Sequence, residues 1–133
     1  MPLKFPPHSL HQLKRVHILA CKPAQKDSMK KSMCLLFQFE NDIWAVSLNK
    51  KQIVPVLDSD SLTMKTNYLV RRSQDKSQVY CLAERGTRDE VIRLKLHSDD
   101  VVRVETIFES SNAHLLAIEA DPEDSSRLFL VSD

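Results

Sequence analysis

Glycine is almost absent from this sequence. Gly86 is the single glycine among 133 residues, where an average chain of this length has about nine. A phosphate-binding loop, a dinucleotide fingerprint and a nucleophile elbow each need several glycines, because the backbone must approach a ligand closely or turn with a positive φ. The composition therefore argues against these routes to nucleotide and hydrolase chemistry.

Aromatic residues, paired cysteines and long apolar runs are scarce as well. Aromatic residues make up 6% of the chain, and no apolar run approaches the ~20 residues that span a bilayer. The first residues show no charged-then-apolar leader. Cys21, Cys34 and Cys81 are odd in number and lack a paired spacing, which favours structural thiols in a reducing compartment. We therefore expect a cytoplasmic protein.

The composition is that of a globular protein with its charge unevenly placed. Hydrophobic residues make up 42%, charged residues 28%, and the net charge is +1. Residues 1–52 carry nine basic and three acidic side chains, while residues 53–133 carry ten basic and fifteen acidic ones. Such an asymmetry is typical of a basic arm for nucleic acid or a membrane, or of two ends that attract each other.

The pattern divides the chain into a basic N-terminal arm, residues 1–33, and a β-barrel domain, residues 34–133. A helix is predicted over Ser9–Ala20, since Leu10, Leu13, Val16 and Leu19 lie at helical spacing. A strand over Arg15–Cys21 is the competing interpretation, because apolar residues also alternate there. The apolar stripe should cover either the domain's own sheet or a groove on a partner.

The clearest local pattern is a β-hairpin around Asn41-Asp42. Apolar residues alternate before and after this turn, and the predicted core face is Leu35, Phe37, Phe39, Trp44, Val46 and Leu48. Short strands with Ser, Asp or Asn between them follow: Ile53–Leu57, Tyr68–Arg71, Gln78–Ala83, Glu90–Leu96, Val101–Phe108, His114–Ala120 and Arg127–Val131. Pro55 places its strand at an edge, and Gly86 should take a positive φ in a loop. The predicted fold is mainly β, a small barrel or a pair of SH3-like barrels of eight or nine strands with one N-terminal helix.

Three sets of polar residues were candidates for chemistry. The first could hold zinc but matches no compact zinc spacing: His8, His11, His17 and Cys21. The second is acidic and lies beside serines in predicted turns: Asp58, Asp60, Asp99, Asp100, Asp121, Glu123 and Asp124. The third is basic: Lys30, Lys31, Lys50, Lys51, Arg71 and Arg72. We interpret the first set as surface histidines, the second as solvent-exposed turn residues and the third as solvent-exposed residues of sheet edges and loops. His97 and His114 have no assignable nucleophile, so the sequence predicts no catalytic residue, no metal ligand and no cofactor.

Residues 34–131 resemble CheW-like chemotaxis coupling domains. The likeness rests on the hairpin Leu35–Leu48, on strands Val79–Leu82 and Val91–Leu96, on the segment Asp100–Val104 and on a closing hairpin, His114–Ala120 and Arg127–Val131. The family's Asn-Leu-Arg-Gly segment is absent, so no partner-binding residue is carried over. The resemblance implies small five-stranded barrels that bridge a receptor and a histidine kinase without catalysis.

The sequence therefore predicts a non-enzymatic protein–protein adaptor, with bacterial chemosensory signalling as its specific form. The alternative is a nucleic-acid- or anion-binding β-barrel that uses the basic N-terminal half, although a pI near 7.8 is low for a dedicated nucleic-acid binder. No partner-binding residue and no oligomeric state follow from the sequence.

Overall fold

The computed structural model describes residues 13–21, 32–39, 42–57, 62–66, 68–71, 75–124 and 126–133. Within these ranges the fold is mainly β. Ten strands follow one another along the described chain: β1 (Arg15–Cys21), β2 (Ser32–Gln38), β3 (Ile43–Ser47), β4 (Gln52–Leu57), β5 (Thr63–Met64), β6 (Gln78–Arg85), β7 (Arg88–Leu96), β8 (Val102–Ser110), β9 (Leu115–Ala120) and β10 (Leu128–Ser132). Among the same residues, no helix is long and apolar enough to cross a membrane.

The strands form three antiparallel sheets in chain order. The N-terminal sheet has the order β1-β2-β3-β4, the central sheet β5-β6-β7-β8, and the C-terminal sheet pairs β9 with β10. Each neighbour in a sheet is also the neighbour in sequence, so the connections are hairpins. Such local pairing suits a chain whose turns contain Asn, Asp and Ser.

The central sheet lies between the other two. One of its faces packs on the N-terminal sheet through a core that includes Leu36, Val79, Cys81 and Leu94. Its opposite face packs on the C-terminal sheet through Tyr80, Leu82, Val91, Leu115 and Ile118. Because side chains alternate along a strand, β6 is buried on both sides, and its apolar run is unbroken from Val79 to Ala83.

The β3–β4, β6–β7 and β7–β8 turns each contain one residue with a positive φ. Gly86 lies at φ 62° between β6 and β7, as predicted, and Lys51 and Asp100 also have positive φ, 53° and 64°. The backbone N–H of Lys51 donates to the Ser47 carbonyl oxygen at 2.8 Å. Asp tolerates this left-handed backbone better than most residues, so one glycine is enough for three such turns in the described chain.

The predicted helix over Ser9–Ala20 is wrong for the part that the structure describes. Arg15–Cys21 forms β1, as the competing interpretation held, and pairs with all seven residues of β2. This pairing buries the Leu19 side chain completely. The free energy gained by that burial outweighs the weak helical preference of a short segment. Residues 9–12 of that prediction lie outside the described residues. β1 belongs to the predicted arm, residues 1–33, and the division at residue 33 stays a prediction.

Two further details of the predicted fold need correction. The described strands close no barrel, because their hydrogen bonds divide them into three open sheets, whereas a barrel must join its first and last strands. The predicted hairpin is confirmed as β2–β3, and Phe39 and Val46 of the predicted core face are buried. Leu36 and Ala45 enter the core instead of Leu35 and Trp44, which are half-buried on the opposite face. The remaining two predicted core residues are half-buried (Phe37) and 44% exposed (Leu48). Both faces of this hairpin are apolar, so alternation could not identify the inner one.

Candidate interaction surfaces

The outer face of the N-terminal sheet is apolar at every paired position. It is the face turned away from the central sheet, and we call it the outer apolar face. Strand pairing places ten side chains on it: Val16, Ile18, Ala20, Met33, Leu35, Phe37, Trp44, Val46, Ile53 and Pro55. None of them is charged or polar. A sheet with apolar residues on both faces is typical of an interior layer, and among the described strands it is an end layer of the stack.

Solvent reaches a large part of this outer apolar face. Val16 and Ile18 on the edge strand β1 are 46% and 50% exposed, and Met33 is exposed beside them. Leu35, Phe37 and Trp44 are half-buried, whereas Val46 in the centre of the sheet is buried. Scattered apolar residues are common on protein surfaces, but a contiguous apolar face marks an interaction site.

The opposite end of the stack also carries apolar side chains. In the C-terminal sheet Ile118 faces inward, so the alternate positions Phe129 and Val131 lie on the outer side. They are 47% and 52% exposed. The guanidinium carbon of Arg127 lies 5.5 Å from the centre of the Phe129 ring. This smaller surface, Phe129 with Val131, is called the C-terminal apolar patch below.

Asp89, at the start of β7, joins the central sheet to the C-terminal sheet. Its Oδ2 accepts hydrogen bonds from Lys65 Nζ at 2.6 Å and from the backbone N–H of Leu115 at 2.8 Å, and His114 Nδ1 lies 3.8 Å away. Burial opposes the charged form, but the hydrogen bonds from Lys65 and Leu115 hold the pKa of Asp89 below its ordinary value. This carboxylate is therefore ionised and has a structural role.

The next residue, Glu90, is the second buried carboxylate. It accepts hydrogen bonds from Arg85 Nε at 2.7 Å and from Thr106 Oγ1 at 2.6 Å. Burial again opposes ionisation, but the bonds from Thr106 and Arg85 lower the pKa of Glu90. Both buried carboxylates, Asp89 and Glu90, therefore have donors that stabilise their charged form.

A surface cleft of about 600 Å³ separates β1 from the C-terminal sheet. Its charged lining is mixed: Arg15, Arg71, Glu119 and Asp121. Tyr68 stands in its wall, where its hydroxyl donates to the Ile118 carbonyl oxygen at 3.3 Å and accepts from the Ile118 N–H at 3.2 Å. Opposite charges at the same cleft offset each other, so it does not form a continuous basic surface.

Two of the four candidate zinc ligands, His17 and Cys21, are among the described residues. His17 and Cys21 are on the same side of β1, where His17 Nε2 lies 3.4 Å from Gln38 Oε1 and Cys21 packs against the core. Burial, together with the nearby charges of Arg71 and Arg15, lowers the pKa of His17. His8 and His11 lie outside the described residues. Among the residues that are described, no group of three or more His, Cys, Asp or Glu is arranged to hold a metal ion.

The described acidic residues of the predicted turns do lie in turns. Asp99 pairs with Arg103 at 2.7 Å, and Asp100 accepts from the Asn49 side chain at 3.2 Å. Asp121 accepts the N–H of Glu123 at 2.9 Å, and Asp124 accepts that of Ser126 at the same distance. Asp58 and Asp60 lie outside the described residues.

Those basic and histidine candidates that the structure describes are dispersed. Arg71 donates to the backbone carbonyl oxygen of Ile18, and Lys50 and Lys51 occupy the β3–β4 turn. His97 lies in the β7–β8 turn, and His114 precedes β9 beside Asp89. Lys30, Lys31 and Arg72 lie outside the described residues.

Sequence reasoning missed both the outer apolar face and the buried carboxylates. The signal for the face was present: β2 reads Met33-Cys34-Leu35-Leu36-Phe37, a run without the polar alternation of a one-sided sheet. The Asp89-Glu90 pair has no such signal, because only the folded hairpin shows that both side chains are buried.

Comparisons of the chain with protein-family models, curated proteins and solved structures find no match.

Proposed function

We propose that this protein is a non-enzymatic adaptor that binds other proteins in the cytoplasm. The observation that carries the proposal is the presence of solvent-exposed apolar surfaces at both ends of the three-sheet stack. Catalysis by the buried carboxylates has less support, since they are ion-paired. Nucleic-acid or anion binding in the 600 Å³ cleft has less support as well, since the charges that line it are mixed.

The geometry of the stack suits an adaptor because its two apolar surfaces face in opposite directions. Packed sheets lie ~10 Å apart, so the N-terminal and C-terminal sheets are separated by about 20 Å with the central sheet between them. A partner on the outer apolar face would therefore not compete with a partner on the C-terminal apolar patch. Two proteins could bind at the same time.

The specific form of the proposal is coupling between a chemoreceptor and a histidine kinase. It is supported by the sequence resemblance of residues 34–131 to CheW-like coupling domains. The open stack differs from the paired barrels of that family, so the general adaptor proposal does not depend on this form.

Phe129→Lys tests the proposal at the C-terminal apolar patch. Lysine at this half-exposed position adds a charge to the patch with little cost to folding, so binding should be lost while the fold is retained. The matched control is Val104→Lys, which changes an exposed apolar residue of the central sheet. Wild-type protein and both variants would be immobilised and exposed to native lysate, and a purified chemoreceptor cytoplasmic domain and a histidine-kinase regulatory domain would be tested in parallel.

The proposal expects one or more proteins to be retained by the wild type and by Val104→Lys but lost with Phe129→Lys. Equal retention by all three would contradict a role for the patch. Binding of the lysate partner without binding of the receptor or kinase would refute only the chemosensory form. Retention of nucleic acid that decreases steeply with salt would favour the alternative function.

A further inference from the structure

One edge of β10 pairs with β9, and the other edge faces no strand among the described residues. We propose that this second edge, here called the free edge of β10, pairs with the free edge of a second copy of the chain. The two strands run antiparallel about a two-fold axis at Leu130, so that two C-terminal sheets join into one four-stranded sheet. The inference goes beyond the adaptor function, because it concerns backbone groups at the edge of the sheet rather than the apolar side chains on its outer side.

Hydrogen bonds made by β9 show which backbone groups of β10 lie at the free edge. The Ile118 N–H and carbonyl oxygen both bind the Tyr68 hydroxyl, so they are turned away from β10. Leu130 is the partner of Ile118 in the ladder, and opposed residues of an antiparallel pair point their backbone groups either toward each other or apart. The N–H and carbonyl oxygen of Leu130 therefore lie at the free edge, and so do those of Leu128, two residues away.

A second, independent contact gives the same direction further along the strand. The Leu115 N–H donates to Asp89 Oδ2 at 2.8 Å, so it too is turned away from β10. Its partner in the ladder is Ser132, whose backbone groups consequently lie at the free edge. Such groups, spaced two residues apart along an extended strand, are complementary to the edge of another extended strand.

The edges of β1, β4, β8 and β9 carry features that oppose such pairing. The Ala20 N–H of β1 donates to the Lys76 carbonyl oxygen at 2.9 Å, β4 contains Pro55, which has no N–H, and β9 is bound as described above. β8 has an extra residue, Ile107, at its register shift, and natural sheets use bulges to prevent association through an edge. β10 has none of these features, because Leu128–Ser132 contains no proline, no charge and no extra residue.

Charge selects a second copy as the partner and fixes the register. With Leu130 at the axis, the facing residues of the two copies are Leu130 with Leu130, Leu128 with Ser132, Phe129 with Val131 and Arg127 with Asp133. Arg127 and Asp133 have opposite charges, and the Arg127 side chain is 61% exposed, so an ion pair forms at each end of the joined strands. A shift of two residues in either direction breaks both ion pairs, whereas a shift of one residue sets free backbone groups against groups that already face β9.

The pairing also covers exposed apolar surface. Leu130 lies on the inner side of the sheet with Ile118, yet it is 36% exposed, and at the axis it contacts Leu130 of the other copy. On the outer side Phe129 and Val131 become cross-strand neighbours, so the C-terminal apolar patches of the two copies form one continuous surface. About six backbone hydrogen bonds join the strands, but such an edge contact buries less than the ~800 Å² per partner of a standard interface. We therefore expect a dimer that dissociates in the upper micromolar range.

Reversal of the two end charges tests the dimer and its register. Arg127→Asp and Asp133→Arg each place like charges at both ends, so each variant alone should associate about tenfold more weakly than the wild type. An equimolar mixture of the two variants should associate as tightly as the wild type, since each copy of one variant then pairs with a copy of the other. Lys50→Asp is the matched control, because Lys50 is exposed in the β3–β4 turn and its charge change equals that of Arg127→Asp.

Sedimentation velocity of the full chain, over roughly a hundredfold range of concentration up to about 1 mM, measures the association. Thermal unfolding checks that each variant remains folded. The wild type and Lys50→Asp should change from monomer to dimer as the concentration rises. Hydrogen exchange followed by NMR should show the Leu130 amide protected at the highest concentration and unprotected at the lowest.

Three results would overturn the dimer: a wild type that stays monomeric over the whole range, single variants that associate as tightly as the wild type, or a mixture that associates no better than its components. A monomeric wild type whose Leu130 amide becomes protected only when a lysate protein is bound would instead assign the free edge to a strand of that protein. Retention of a partner through Phe129 does not require a second copy, so failure of the dimer is distinguishable from failure of the adaptor proposal.

Discussion

Asp89→Asn should destabilise the protein more than any other single loss of charge discussed here. The Asp89 side chain is 3% exposed, and its Oδ2 binds both Lys65 Nζ and the Leu115 N–H. Removing one partner of a buried ion pair costs about 3–5 kcal/mol. The Lys65 side chain is 23% exposed, so water can solvate part of its ammonium group, and we expect a loss of about 2–3 kcal/mol.

Urea denaturation at neutral pH, followed by the fluorescence of Trp44 and by circular dichroism, measures this loss. Asp99→Asn is the control, because it removes a carboxylate from an exposed pair with Arg103 and should leave the midpoint nearly unchanged. Equal midpoints for wild type and Asp89→Asn would refute the reasoning that Asp89, bound to Lys65 and to the Leu115 N–H, joins the central and C-terminal sheets.

The two buried carboxylates, Asp89 and Glu90, predict how the stability of the fold depends on pH. The pKa values of Asp89 and Glu90 are lowered in the folded state, so each contributes stability above its unfolded pKa of ~4 and loses it as the pH falls through the lower folded value. The free energy of unfolding of the wild type should therefore decrease below about pH 4. Asp89→Asn should show a shallower decrease, and an identical pH profile would contradict the assignment.

Three further predictions concern the core, the turns and the thiols. Leu36→Ala should reduce the free energy of unfolding by about 3–4 kcal/mol, and Leu35→Ala by about half as much because that side chain is half-buried. If urea denaturation showed the larger loss for Leu35→Ala, the core face predicted from the sequence would be right and the observed one wrong. Gly86→Ala should cost about 1–2 kcal/mol, since alanine is strained at φ 62°, and an unchanged melting temperature would count against that backbone. Burial raises the pKa of Cys34 to about 11 and that of Cys81 to about 12. A thiol reagent at mildly alkaline pH should therefore leave both cysteines unmodified until the protein is unfolded. Rapid labelling of either cysteine in the folded state would contradict their burial.

The strands of the C-terminal half were predictable because local signals agree there. β6 to β10 coincide with short runs rich in Val, Ile and Leu, and Gly86 marks a turn that needs its backbone freedom. β1 was ambiguous because Val16 and Leu19 fit a helical face while Val16 and Ile18 fit a strand. Only pairing with β2, a contact distant in sequence, decides between them.

The candidate surfaces were less predictable than the strands. A period of two shows that residues alternate, but it does not identify the covered face when both sides are apolar, as Leu35 and Leu36 illustrate. Nor does it show how sheets stack, and the stacking order alone makes the N-terminal sheet an end layer. The position of Asp89 beside Lys65 likewise depends on tertiary packing.

Hydroxyl-radical footprinting with mass spectrometry tests the central claim, that the two ends of the stack are separate interaction surfaces, most directly. Oxidation of Ile18 and of Phe129 should each decrease when the protein partners retained by the wild type are added, while oxidation of Val104 on the central sheet should stay constant. Unchanged oxidation of both Ile18 and Phe129 would contradict the claim.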